Sequence, residues 1–375
     1  MRKSHTPFLA YMKVYVLKAR EKIVAKSGRI DSIQILRAIA FLEIFLGHCG
    51  IDFFAGSFGV AIFTVLSGFC MAINYLPKTE KLSLSPVKNV KFGISKVGKL
   101  YGLHLIMLAI MYVIVKMPTS GEAIPRLVVD VLLLKCWRPH SEDYYSYNGV
   151  AWYLSMYMFV CMLAPYVMKL IAKIKNKKQL FGLAAVVYLV MLGVGYYVSV
   201  VQIPIGDGFA KWLTYICPLY RILDFSLGAM LGWFYLNCDW KKVQSGIWAF
   251  ILEIFAIAAF VISEWAYLPV KENYMGIGYT VYFTLTALLL VWTFAVNGSV
   301  ITKVLNNKLL LWLGNISSLT FLIHQVVIRA VKMNLDKEAM GSAYLPTVIV
   351  VCFVVTVVGA ELYLLLQKNL KKCNA

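Results

Sequence analysis

Arg37 and His48 lie in the first long apolar segment and are the first residues whose types and spacing could do chemistry together. On a helix their eleven-residue separation amounts to three turns plus about 20°, so both side chains point the same way, about 16 Å apart along the axis. Imidazole is a natural proton acceptor near neutral pH. The plainer alternative is a His bonded to a neighbouring helix and an Arg snorkelling to the headgroups. Other ionisable residues in apolar segments are His104, Lys116, Arg221, Asp224, Glu253, Glu264, His324, Arg329 and Glu361, with Glu43 between Arg37 and His48. Such groups cost several kcal/mol in hydrocarbon and usually face the protein interior or a water-filled cavity. His48 and His324 each lie about fifteen residues into their segments, so both sit about 22 Å from the side where those segments begin. Arg221 reaches a similar depth from the other side. These three predict a polar chamber in the outer half, whether or not they are lateral neighbours. Asp224, three residues beyond Arg221, is placed for an intrahelical ion pair. Glu43 lies about 140° around the helix from His48, which argues against direct pairing.

The elements that must position these groups follow from composition. The 375 residues are 61% hydrophobic and only 15% charged, whereas soluble domains are nearer half apolar and a quarter charged. Apolar runs near twenty residues without alternation predict transmembrane helices rather than a β-barrel. The fold class expected is an all-α integral membrane bundle of about ten helices. The spans fall near 33–51, 53–76, 99–117, 149–172, 180–201, 211–236, 247–268, 276–297, 309–332 and 344–367. Residues 1–30 form a basic arm, within which Phe8–Leu17 could lie on the membrane as an amphipathic helix, and residues 368–375 form a tail. Neither a cleavable signal peptide nor an internal repeat is expected.

The net charge of +19 is unevenly divided. The side shared with the N-terminus carries 26 Lys and Arg against 4 acids, and the other side 7 against 9. The positive-inside bias therefore puts both termini in the cytoplasm and explains the charge without nucleic acid. Eight scattered cysteines form no CxxC pair, so neither a metal cage nor a disulfide framework is implied. The long outer loop, Pro118–Asn148, could cover a site or simply lie on the surface.

Segment 36–48, LRAIAFLEIFLGH, resembles the Arg/Lys-X10-His signature of the acyltransferase 3 family of bacterial membrane acyltransferases. Segments 59–69, GVAIFTVLSGF, 148–165, NGVAWYLSMYMFVCMLAP, 218–228, PLYRILDFSLG, and 312–324, WLGNISSLTFLIH, resemble further family blocks in the expected order. The resemblance covers residues 31–367. Departures are Ser318 and Phe321 where the family often shows tyrosine, the acid Glu43 at a usually apolar position, Lys96 to Tyr101 where arginines and a proline are common, and no hydrolase-like fusion.

The resemblance implies an O-acyltransferase of a bacterial cytoplasmic membrane, with acyl-CoA, usually acetyl-CoA, as cytoplasmic co-substrate and no bound cofactor or metal. Its acceptor would be a hydroxyl of an extracytoplasmic glycan, lipid or related molecule. Arg37 would stand near the donor channel, and His48 would act as general base or carry the acyl group. Lys96, Lys99 and Tyr101 would hold the donor, although lysines there also fit ordinary positive-inside charge. Arg221 and His324 would orient the acceptor or stabilise the oxyanion, or else only bond helices together. Trp152 and Ser155, with Tyr153 between them, begin the fourth span and would bind the acceptor, or else form an interfacial aromatic belt. A polytopic transporter and a non-catalytic glycan assembly or flipping partner are the alternatives. A transporter would typically show repeats and interrupted spans, and neither is read here.

Overall fold

The computed structural model describes residues 30–115, 123–201, 208–239, 246–296 and 300–373. The basic arm of residues 1–29, with its expected Phe8–Leu17 helix, lies outside the described residues. The described residues form helices and connecting turns without a β-strand. In chain order these are α1 (Asp31–Cys49), α2 (Ser57–Tyr75), α3 (Pro86–Val115), α4 (Ala123–Val131), α5 (Ala151–Ile171) and α6 (Lys177–Val200). There follow α7 (Pro218–Asn237), α8 (Ile247–Trp265), α9 (Val281–Val296), α10 (Lys308–Asn334) and α11 (Tyr344–Cys373), with shorter turns between. We call the side where α1 begins the near side and the other the far side.

Among the described residues nine helices are long and apolar enough to cross a membrane, where the sequence predicts about ten spans. The tenth, α7, has 20 residues but carries Arg221 and Asp224 and is largely buried between neighbours, so it presents little surface to lipid. The predicted span 211–236 is also not one helix. A π-helical turn, Trp212–Ile216, ends at Cys217, whose extended backbone precedes Pro218. Proline pushes the residue before it away from helical geometry and is favoured at the first helical position. The interruption that the sequence was expected to lack is therefore present at Cys217.

The core is set by close helix approach. A Cβ on Gly68 of α2 would overlap the Phe225 carbonyl of α7, and one on Gly314 of α10 would overlap the Gln34 carbonyl of α1. Small residues let backbones meet where lipid gives no hydrophobic reason to associate. The α1–α10 contact is parallel and builds the site. Glu43 of α1 accepts from the backbone N–H groups of Gly56 and Gly59, both at 2.6 Å. A carboxyl there complements the positive end of the α2 dipole, which accounts for an acid on a helix face turned away from His48.

The segment 123–148 is not a surface loop. It folds into the far half of the bundle and buries Asp130, Lys135, Tyr144 and Tyr147. Lys135 Nζ donates to Asp130 Oδ2 at 2.9 Å and to the Ser146 carbonyl at 2.8 Å. His104 of α3 donates to the Asp130 carbonyl at 3.0 Å, and Asn148 donates to the Leu322 carbonyl of α10 at 2.9 Å. Leu133 and Tyr147 hold left-handed backbone angles, φ 54° and 49°. Each costs about 1–2 kcal/mol for a non-glycine residue, and the buried bonds around them offset it.

Candidate active site

His48 lies in the last turn of α1, where Gly50 ends the helix in the left-handed conformation. His324 faces it from α10. His48 Nδ1 and His324 Nε2 are 2.8 Å apart, and the rings stack at 5.1 Å. His324 Nδ1 lies 2.7 Å from the Phe321 carbonyl, which can only accept, so this nitrogen carries the proton. In a neutral pair His324 Nε2 then accepts from His48 Nδ1–H, and His48 keeps its lone pair on Nε2. The second imidazole thus selects the tautomer of the first, as orienting partners do elsewhere. Lys332 donates to the His48 carbonyl at 3.2 Å, placing a cation at the negative end of the α1 dipole.

A far-side cavity of about 330 Å³ reaches His48. Its walls include Trp152 of α5, Tyr145 of the inserted segment, Lys211 and Tyr215 of the broken segment, and Gln325 and Arg329 of α10. A second cavity, of about 260 Å³, contains Arg37, Lys96, Tyr75, Tyr157 and Ser318. There Arg37 donates to Ser318 Oγ at 2.6 Å and Lys96 donates to the Tyr75 hydroxyl at 2.7 Å. Phe321 belongs to both linings. Its ring lies 5.5 Å from Tyr153, 6.2 Å from Phe63 and 5.7 Å from His324, so an aromatic wall separates the two spaces.

The structure therefore brings His48, His324 and Trp152 to one cavity or its wall, and Arg37 with Lys96 to the other. It does not bring the remaining sequence candidates there. Arg221, expected to meet substrate, is fully buried against Asp224 Oδ2 at 2.9 Å, Thr64 Oγ1 at 2.6 Å and Thr280 Oγ1 at 2.8 Å. It clamps α7 to α2 and lines neither cavity. Ser155 is also buried, bonded to the Leu133 carbonyl and the Cys136 N–H, and ties the inserted segment to α5. Lys99 is exposed. Tyr101 donates to the Val131 carbonyl of the inserted segment at 2.9 Å. The third helix begins at Pro86 rather than near residue 99, so Tyr101 stands about 22 Å above the helix start instead of at its opening. Glu361 of the last helix accepts from Trp312 Nε1 at 2.6 Å, away from both cavities. Sequence reasoning missed Ser318, Gln325, Lys332 and Lys211 as neighbours of the site, because each reaches it only through packing between helices.

A helical bundle with nine described helices long and apolar enough to cross a membrane, and one cavity with ionisable residues toward each side, has the form of a multi-pass membrane protein. The chain belongs to the acyltransferase 3 family, whose acyltransferase domain matches residues 30–364. It is similar to acyltransferase MdmB of Streptomyces mycarofaciens, 27% identical over 248 residues that cover 59% of this chain and 59% of that protein. No solved structure matches the chain.

Proposed function

We propose that this protein transfers an acetyl group from acetyl-CoA, bound from the cytoplasm, to a hydroxyl of a glycan or lipid acceptor outside a bacterial cytoplasmic membrane. In this reading both termini are cytoplasmic and the near side is the cytoplasm, which the excess of basic residues on that side supports. The observation that carries the proposal is the His48–His324 bond at 2.8 Å, facing a far-side cavity from the helix that holds Arg37 in the other. Family membership and the acyltransferase relative support acyl transfer itself.

Arg37 and Lys96 hold the donor's anionic or polar portion in the near cavity, with charge-assisted bonds suited to phosphate. The thioester passes the aromatic wall toward His48. His48 Nε2 takes the acceptor hydroxyl proton as the oxygen attacks the thioester carbonyl. The new C–O bond forms, the C–S bond breaks, and the departing CoA thiolate takes the proton back from His48. His324 accepts from Nδ1–H throughout and holds the imidazolium that forms transiently.

The test is acetyl transfer by purified protein in lipid nanodiscs, with released CoA and acylated product both quantified. General-base catalysis contributes typically 10²–10⁴-fold, so His48→Gln should lose transfer to that depth with normal insertion. His324→Ala should lose about 10–100-fold, the scale of an orienting partner. His324→Gln should recover part, because its amide oxygen can accept the same N–H. Arg37→Ala should raise the acetyl-CoA KM, and Arg37→Lys should moderate that rise. Near-normal product from His48→Gln would sink the mechanism.

A further inference from the structure

The walls of the far cavity say more about the acceptor than that it bears a hydroxyl. Lys211 and Arg329 both line it, and among the described residues no carboxylate does. The far side otherwise leans acidic, with 9 acids to 7 bases, so positive-inside bias does not explain cations at this spot. Most bases of the inserted segment are matched by acids. Arg126 meets Asp143 at 2.9 Å and Glu142 at 2.8 Å, Arg138 meets Asp143 at 3.0 Å, and Lys135 meets Asp130. Arg329 instead donates to the Tyr147 carbonyl at 3.2 Å, which among the described residues leaves guanidinium donors over. Lys211 lies over the faces of Tyr145 and Tyr279, at 4.8 and 5.1 Å. Glu43 accepts from the N–H groups of Gly56, which lines the cavity, and of Gly59, and Glu264 accepts from the Ala55 N–H, so neither carboxylate lies on the cavity surface.

Two further features point to a polar ring. Trp152 and Tyr215 present rings 4.7 Å apart at the cavity, and aromatic faces of this kind stack against sugars. Gln325 also lines the cavity, and its Oε1 is buried with no partner among the described residues. Leaving a buried acceptor unpaired is unfavourable, a penalty that a ligand hydroxyl donating to it removes.

We infer that the far cavity selects an acidic sugar unit, whose carboxylate or phosphate is held by Lys211 and Arg329 while its ring faces Trp152 and Tyr215. A hydroxyl of that unit then meets Gln325, and another faces His48 Nε2. The last placement rests on the acyl-transfer reading above; the anion site does not.

The experiment measures equilibrium binding to the full chain in nanodiscs made of zwitterionic lipid, using matched probes. A glucuronic acid disaccharide is compared with its glucose counterpart, and a glycosyl phosphate with the corresponding neutral methyl glycoside. At least one acidic probe should bind tenfold or more tighter than its partner, and which one does so distinguishes carboxylate from phosphate as the source of the anion. Lys211→Gln and Arg329→Gln should each reduce that ratio and together abolish it, while Lys211→Arg and Arg329→Lys retain most of it. Equal binding within both pairs, no binding of either acidic probe, or a ratio unchanged in the double Gln variant would overturn the inference. Acetyl-CoA turnover is recorded separately on the same samples. Acid-selective binding without acetyl transfer refutes the acyl-transfer reading and leaves the anion site standing. Acetyl transfer with equal KM for both members of each pair does the reverse.

Discussion

Phe321 stands where the two cavities meet, one turn before His324, and its ring is packed by Tyr153, Phe63 and His324. Its carbonyl also holds the His324 ring, so backbone and side chain of one residue touch both the histidine pair and the partition. In the proposed reaction a wall of this kind would keep far-side water from a thioester waiting on the near side, since excluding water protects reactive groups from hydrolysis. Replacing Phe321 by Ala should join the two spaces. Acetyl-CoA hydrolysis without acceptor should then rise severalfold, and acylated product per CoA released should fall. Phe321→Tyr restores the ring and should keep the two coupled. Both rates come from a thiol assay run with and without acceptor, and unchanged hydrolysis in Phe321→Ala would remove the partition role. At this scale the sequence carried half of the site. Arg37 and His48 share a face because helical geometry fixes their angle over eleven residues, whereas the bond from His48 to His324 spans 276 positions and has no local signal.

The inserted segment 123–148 is the element that turns a helix bundle into a site, since Tyr145 comes from it and Gly149, Val150 and Trp152 follow directly. Its anchor is the Asp130–Lys135 pair, both side chains fully buried. Burial pushes the Lys135 ammonium below the ordinary lysine value, and the Asp130 charge opposes that shift. Breaking a buried pair by removing one partner strands the other, at about 3–5 kcal/mol, while replacing both with apolar residues is often neutral. Lys135→Met should therefore lower the thermal midpoint strongly, and Lys135→Met with Asp130→Leu should recover most of the loss. Thermal unfolding in lipid nanodiscs checks both, and additive losses in the double variant would show that the pair is not the anchor. Sequence reading left this segment open between cover and surface loop because its polar residues look solvated until their partners are known. The break at Cys217 was better marked, by Pro218 inside an apolar run.

Across the whole molecule, burial grades the helices. α1, α2, α9 and α10 sit at the centre with most of their surface covered, while α6, α8 and α11 are largely exposed at the periphery. The peripheral helices are also the more apolar ones, as lipid contact demands. α7, the least suited to lipid, packs among its neighbours behind α2. Counted with α7, the nine candidate spans among the described residues make ten alternating helices, an even number that would return the chain to the side on which it began. With the 26-to-7 division of basic residues, reporter fusions after residues 88 and 175 should read cytoplasmic, and those after 140 and 270 extracytoplasmic. A clear inversion at any one of these would overturn the orientation and with it the assignment of donor and acceptor sides.

The sequence by itself determined the helical, membrane-spanning character, the charge asymmetry across the bundle, and the common face of Arg37 and His48. Each depends on short-range periodicity or on composition, and hydrocarbon leaves the backbone little choice but helix. The tertiary structure alone decided which helices touch. It paired His48 with His324, folded residues 123–148 inward, took Arg221 and Ser155 out of the cavities, and set Lys211 and Arg329 on the lining of one cavity. Lipid is as apolar as the helices it surrounds, so hydrophobicity does not choose their neighbours. The choice falls to glycines such as Gly68 and Gly314, where backbones meet, and to polar bonds that only the assembled bundle can complete.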